Sequence, residues 1–240
     1  HVWPLEQIMA EFQLAPDQLL MLDDLKPGYD MCRAAGVPFA AAGWANDIPE
    51  IEGYMRRNCD YYFKTVAAFG GLDIVVANVS ALAVPDTEEN WQTSFNVDVM
   101  HTVRLVRAAM PHLERSDAAS IIAISSVSGR ESDFASGPYG TAKTAIVGYI
   151  HGLALQLAEK NIRANTVSPG NTYFEGGFWH GIESGNPALF EFAVGLNPTG
   201  QMGSPEEVAA PVVFLASPMA SRVSGTNLVV DGALTRGVQL

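Results

Sequence analysis

Apolar positions along the chain alternate between two periods, and that alternation predicts the architecture. Leu5, Ile8, Met9 and Phe12 keep the i, i+3, i+4, i+7 spacing of a helix with one apolar stripe. Leu19 to Leu22 is a short apolar run ending in Asp23 and Asp24, the pattern of a buried parallel strand with carboxylates at its C-terminal end. Pro27 suits the first turn of a helix that Gly36 closes. Val37 to Ala42 then reads as a strand, Pro49 to Arg57 as a helix and Asp60 to Lys64 as another strand. From Gly70 onward, strands are predicted at 73–78, 120–125, 163–167 and 227–231, and helices at 91–113 and 138–160. Residues 170–203 read as a long irregular loop. Ser204 opens a further helix, with Pro205 at its first position and Glu207 completing a capping box, and Pro211 inside it predicts a kink. Strands alternating with helices imply a doubly wound parallel sheet in three α/β/α layers, with strand order 3-2-1-4-5-6-7 in one domain spanning residues 1–240.

Composition narrows the partners. The chain has 240 residues, enough for one substantial core, and a formal charge of −12 from 14 basic and 26 acidic residues. Nucleic-acid binders gain most of their affinity from clustered Lys and Arg, so a nucleic acid or an anionic membrane is not an expected partner. No apolar run reaches the roughly 18 residues that a membrane span needs. The opening His1 is followed by no basic cluster, which argues against a signal peptide and for a cytoplasmic protein, and a chain that starts at His1 was processed, cut or built. Cys32 and Cys59 have neither a Cys-x-x-Cys partner nor a His at ligand spacing, so no metal site is expected. They read as small buried residues in a reducing compartment, with a disulfide between them as the alternative.

The candidate chemistry lies in Tyr139-Gly-Thr-Ala-Lys143, with Ser126 upstream. Residues at i and i+4 share a helix face, so an ammonium at 143 can lower the pKa of a phenol at 139, and a serine hydroxyl nearby can bind an oxygen that is being reduced or oxidised. A phenol is a poor base at neutral pH without such help. From about residue 69 to 240 the chain resembles a short-chain dehydrogenase/reductase. The resemblance rests on Leu72-Asp-Ile-Val-Val-Ala-Asn78, Asn96, Ile-Ser-Ser126-Val-Ser-Gly, Tyr139-x-x-x-Lys143, Ser-Pro169-Gly170 and Val-Asp231-Gly232, in that order. It implies a Rossmann-like fold and an oxidoreductase that uses NAD(P) on a small-molecule substrate. Tyr139 would be the general acid/base, Lys143 would lower its pKa and hold the nicotinamide ribose, Ser126 would bind the substrate oxygen, and Asn96 would support a proton-relay water. Asn78, Pro169, Gly170 and Thr172 would complete the cofactor site with Lys143. Where that family reads Asn-Ala-Gly, this chain has Asn78-Val79-Ser80, which is expected to crowd the adenosine side. Phe174, Phe178, Trp179, Phe190 and Phe192 make the loop from Asn171 to Gly200 strongly aromatic, which favours an apolar substrate. Packing at the interface of a homo-oligomer, or in the core, is the other use of such rings. His180 reads as a loop histidine.

The first part of the chain predicts something different. A dinucleotide-binding fold places a glycine-rich turn after its first strand, whereas this chain has Asp23-Asp24-Leu25-Lys26-Pro27-Gly28. Like charges at ~4 Å repel by about 1 kcal/mol even in water, so two carboxylates there predict poor NAD(P) binding. Residues 1–66 resemble instead the C-terminal part of a haloacid-dehalogenase-like hydrolase, on the stretch from Leu20 through Asp23-Asp24 and Gly28 to Gly36-Val-Pro-Phe. That family's nucleophile motif is absent, so phosphatase chemistry is not expected. Only about seven residues, 65–71, join the two parts, a reach of about 23 Å. The expectation is an engineered or recombined chimera of segments 1–68 and 69–240 with little or no native activity, and the alternative is a working NAD(P)-dependent oxidoreductase. The second strand ends in Ala42-Gly43-Trp44 without a charged residue to select NAD or NADP.

Overall fold

The computed structural model describes residues 70–237 and three short strands before them: β1 (Met21–Asp23), β2 (Phe39–Ala41) and β3 (Tyr61–Tyr62). The acidic stretch after β1, both cysteines and the helices expected before residue 65 lie outside the described residues. Contacts divide the chain into two compact units, one of His1–Leu72 with Arg107–Ser116, the other of Asp73–Val106 with Asp117–Leu240. In the first unit, β1, β2 and β3 form a parallel sheet in that order. In the second, β4 (Ile74–Ala77), β5 (Ser120–Ile124), β6 (Arg163–Pro169) and β7 (Asn227–Val230) form a parallel sheet of four. Its register pairs Ile74 with Ser120, Ser120 with Arg163, and Thr166 with Asn227. The order within each sheet follows the predicted one. The predicted join of strand 1 to strand 4 in one sheet of seven is not among the described ladders.

Between these strands run α1 (Glu88–Ser94), a π-helical segment (Phe95–Val99), α2 (Met100–Leu113) and α3 (Pro138–Leu157). Thr87 starts α1, its hydroxyl accepting from the Asn90 amide at 3.2 Å. The stretch 170–203 is not the irregular loop its composition suggests. It holds α4 (Phe178–Gly185) and α5 (Pro187–Gly195), and Asn186 caps α5 through the Leu189 amide while Pro187 fills the first position. Short helices containing Gly181, Gly185 and Gly195 hid the helical period there. The last helix, α6 (Pro205–Ala216), opens on the predicted capping box and continues through Pro211.

One hydrophobic cluster of the second unit is the contact of α6 with the sheet. Ile121, Ile122 and Ala123 of β5 are fully buried, as a strand covered on both faces must be. Ile122 packs with Val167, Leu215 and Ala220, and Val208, Val212 and Leu228 surround them. Arg163, the first residue of β6, donates to the carbonyls of Leu215, Ala216 and Ser217 and so binds the negative end of α6. β4 is less covered than its apolar sequence predicted. It alternates, with Val75 and Ala77 buried but Ile74 and Val76 exposed, as befits the outer position in the ladder of four.

His101, near the start of α2, is 3% exposed and its Nδ1 has no hydrogen-bond partner. Burial lowers its pKa to about 4, against the pull of Asp98 and with help from Arg104 and Lys143. It is therefore neutral in the folded protein at neutral pH. Two stability predictions follow from this packing. Ile122→Ala should cost about 2–5 kcal/mol in a urea melt, because the well-packed site around it cannot collapse. The unfolded chain protonates His101 below its ordinary value near 6.5, while the folded chain resists until about 4. Stability from this group is thus complete above pH 6.5 and falls by about 3 kcal/mol, at ~1.4 kcal/mol per unit, as pH drops to about 4. Urea melts across that window should show His101→Gln losing this part of the slope.

Candidate active site

The site is built where β5 gives way to α3. Ser126 follows the strand in extended backbone and caps a single 3-10 turn (Val127–Gly129), its Oγ accepting from the Ser128 amide at 3.2 Å. This turn lies directly on α3. A Cβ on Gly129 would sit 2.8 Å from the Lys143 carbonyl carbon, and one on Gly140 would sit 2.7 Å from the Ser128 oxygen. Only glycine permits so close an approach. Hydroxyls then fasten it: Ser125 donates to the Lys143 carbonyl at 2.9 Å and Thr144 to the Gly129 carbonyl at 2.8 Å. As a result Ser126 is hydrogen-bonded to the half-buried Tyr139, and the Lys143 ammonium lies 5.5 Å from the centre of the Tyr139 ring. The three residues singled out in the sequence are brought together.

The electrostatics depart from expectation. Lys143 is almost fully buried, and its ammonium pairs with Asp98 at 3.3 Å and donates to the Ile124 carbonyl at 3.2 Å. Burial lowers the Lys143 pKa, and the Asp98 charge and hydrogen bond oppose that. Tyr139 was expected to be lowered by Lys143. Instead its pKa is raised, chiefly by burial, against the Ser126 hydrogen bond and with the Asp98 and Asp133 charges adding to the rise.

Asp98 was not singled out in the sequence, and it takes the place near the site that was expected of Asn96. Asn96 is exposed on the π segment, whereas Asp98, two positions on, is fully buried. Ser80 donates to Asp98 Oδ1 at 2.5 Å and the Ala81 amide to Oδ2 at 3.2 Å. The only sequence signal was an acidic residue in an otherwise apolar stretch, Val97-Asp98-Val99. The same contacts answer the expected crowding by Ser80, whose side chain is engaged with Asp98.

The remaining expected cofactor residues sit at strand ends. Asn78 is exposed just beyond β4, and Pro169 ends β6. The Gly170 amide donates to the Val230 carbonyl at 3.0 Å, and the Thr172 hydroxyl donates to the Gly170 carbonyl at 3.2 Å. Trp179 of α4 is buried edge-to-face against Phe134 at 5.9 Å and Phe178 at 5.3 Å. Tyr173 stacks edgewise on Phe190 and donates to Glu183. His180 accepts from the Gly176 amide at 2.9 Å, a local structural role. No cluster of metal-binding side chains occurs among the described residues, and no described helix is long and apolar enough to cross a membrane.

Comparison with known proteins places the chain. The family described as enoyl-(acyl carrier protein) reductase matches residues 57–235. Isoepoxydon dehydrogenase patN of Penicillium expansum is 39% identical over 208 residues, covering 86% of this chain and 78% of that protein. Among solved structures, an oxidoreductase of the short chain dehydrogenase/reductase family from Burkholderia thailandensis superposes with a TM-score of 0.76 at 22% identity, over 97% of this chain and 87% of that one. The structure titled "ElxO with NADP Bound" gives a TM-score of 0.69 at 24% identity, over 82% and 88%. The expected break near residue 69 finds no support. The family match begins at 57, and the Penicillium match spans more residues than lie between 69 and 240. Neither a hydrolase-derived first part nor an engineered recombination is supported, and the working-oxidoreductase alternative is favoured. The chain belongs to the short-chain dehydrogenase/reductase family.

Proposed function

We propose that this protein is an NAD(P)-dependent oxidoreductase that interconverts a hydroxyl and a carbonyl on an apolar small molecule. The observation that carries the reading is the convergence of Ser126, Tyr139 and Lys143 beside the C-terminal end of a parallel strand, where open α/β sheets bind their ligands. The donor set there fits the nicotinamide side of a dinucleotide. Lys143 would hold ribose hydroxyls, Pro169 and Gly170 would line the ring, and Asn78 and Thr172 would supply further polar groups. The bound dinucleotide supplies or accepts the hydride. Ser126 binds the substrate oxygen, and Tyr139 gives that oxygen a proton in reduction or removes it in oxidation. Our expectation of poor NAD(P) binding is set aside, since membership of the family and the NADP-bound neighbour both favour binding. The aromatic residues of α4 and α5 support the apolar substrate.

Nicotinamide fluorescence titration should detect binding of NADH or NADPH, and the absence of binding by both would overturn the proposal. Tyr139→Phe should keep that binding within a few-fold, while turnover of apolar ketones falls by roughly 10²–10⁴ in steady-state assays. The raised Tyr139 pKa also sets a pH dependence. Reduction uses the protonated phenol, so its rate should stay flat through the neutral range. Oxidation uses the phenolate, so its rate should climb steadily with pH from neutral into the alkaline range.

A further inference from the structure

The site just described contains one charge too many for the role given to Lys143. An ammonium lowers a phenol's pKa by favouring the phenolate, but only as far as its charge is felt there. Here the Lys143 ammonium is 3.3 Å from Asp98, and the two side chains are 4% and 0% exposed. Little solvent screens either charge, and the carboxylate acts on Tyr139 with the sign opposite to the ammonium's. The carboxylate is also fixed in place: Ser80 Oγ and the Ala81 amide hold both its oxygens, and the Thr102 hydroxyl ties the Asp98 backbone carbonyl into α2 at 3.0 Å.

We propose that Asp98 is a positioning residue for proton transfer: it anchors the Lys143 ammonium in a buried ion pair and cancels that cation's effect at Tyr139, keeping the phenol a proton donor. The proposal rests on the reading of Tyr139 as acid/base, but the electrostatic claim stands apart from turnover. Among the described residues, Asp98 and Asp133 act on Tyr139 with the Ser126 hydrogen bond opposing them, Lys143 lies over its ring, and His101 feels the charges of Asp98, Arg104 and Lys143. His101 is neutral at working pH, as argued above. Asp133 is exposed and committed to Ser128 at 2.6 Å and to the Ala135 amide at 2.8 Å. Asp98 is therefore the buried negative charge that answers Lys143.

The test uses the whole protein without cofactor or substrate, so it cannot fail merely because the oxidoreductase reading fails. 3-Fluorotyrosine placed at position 139 reports its own ionisation by fluorine NMR, and the electron-withdrawing fluorine brings that ionisation to lower pH than tyrosine's own. Asp98→Asn, nearly the same shape, should lower the titration midpoint by about one pH unit, a roughly tenfold change in proton affinity. An unchanged or raised midpoint overturns the proposal. The double variant Asp98→Asn with Lys143→Met replaces the ion pair by a neutral pair, a change that buried pairs often tolerate. Its midpoint should stay within a few tenths of a unit of the parent. A clear rise would mean that Lys143 acts on Tyr139 uncancelled, and would overturn the proposal even if the single variant does not fold. The conservative Asp98→Glu should restore a midpoint near the parent's.

Discussion

A buried ammonium cannot be left alone, and the architecture of this site follows from satisfying one. Moving such an ion out of water costs several kcal/mol after all relaxation, so partners must be brought to it. Lys143 draws in two separate parts of the chain, and through one of them a third. Its Nζ reaches the carbonyl of Ile124 at the end of β5 and the carboxylate of Asp98 at the end of the π segment, while its own backbone carbonyl accepts from Ser125. Asp98 in turn recruits the turn after β4 through Ser80 and Ala81. The π segment has a physical reason in this setting. A π turn shifts the helical register by one residue, and such shifts cluster at functional positions because they re-aim side chains. It is the segment in which Asn96 faces solvent and Asp98 faces the lysine.

What the sequence made legible depended on whether a feature was local or positional. The strands of the second unit, the capping box of α6 and the helix carrying Tyr139 and Lys143 are written in periods and caps that need no tertiary context, and they were found with small boundary errors. The convergence of Ser126 on Tyr139 also had a local cause, in the glycines at 129 and 140 that let turn and helix touch. The identity of the buried polar residue did not. Choosing Asp98 over Asn96 required knowing the phase of a helix that changes type midway, and no hydrophobic period shows that. The α4–α5 pair was missed for a related reason: α4 is only eight residues long and contains two glycines, and α5 is apolar along most of its length, so neither shows a sustained helical period.

The reading of the first part of the chain shows how a short motif can outweigh a long one. Asp23-Asp24 followed by Gly28 is a compact, charged signal, and its electrostatic consequence for a pyrophosphate is easy to state. Family membership is spread over many weak positions, none of which is persuasive alone. A match to a dehydrogenase that runs upstream of residue 69 is evidence of that distributed kind.

The site separates charge from apolar surface, and the separation bears on what it can bind. Lys143 and Asp98 are tied together almost out of water, with Ser80 bonded to the carboxylate. Trp179 is buried edge-to-face against Phe134 and against Phe178 of its own helix. Phe134 follows Asp133, whose charge acts on Tyr139, so the loop that holds α4 also bears on the phenol. A buried charge is tolerated only with a partner, and the carboxylate beside Lys143 meets that need, whereas the rings need none. The substrate we propose would present one polar oxygen to Ser126 and Tyr139 and an otherwise apolar body to the rings.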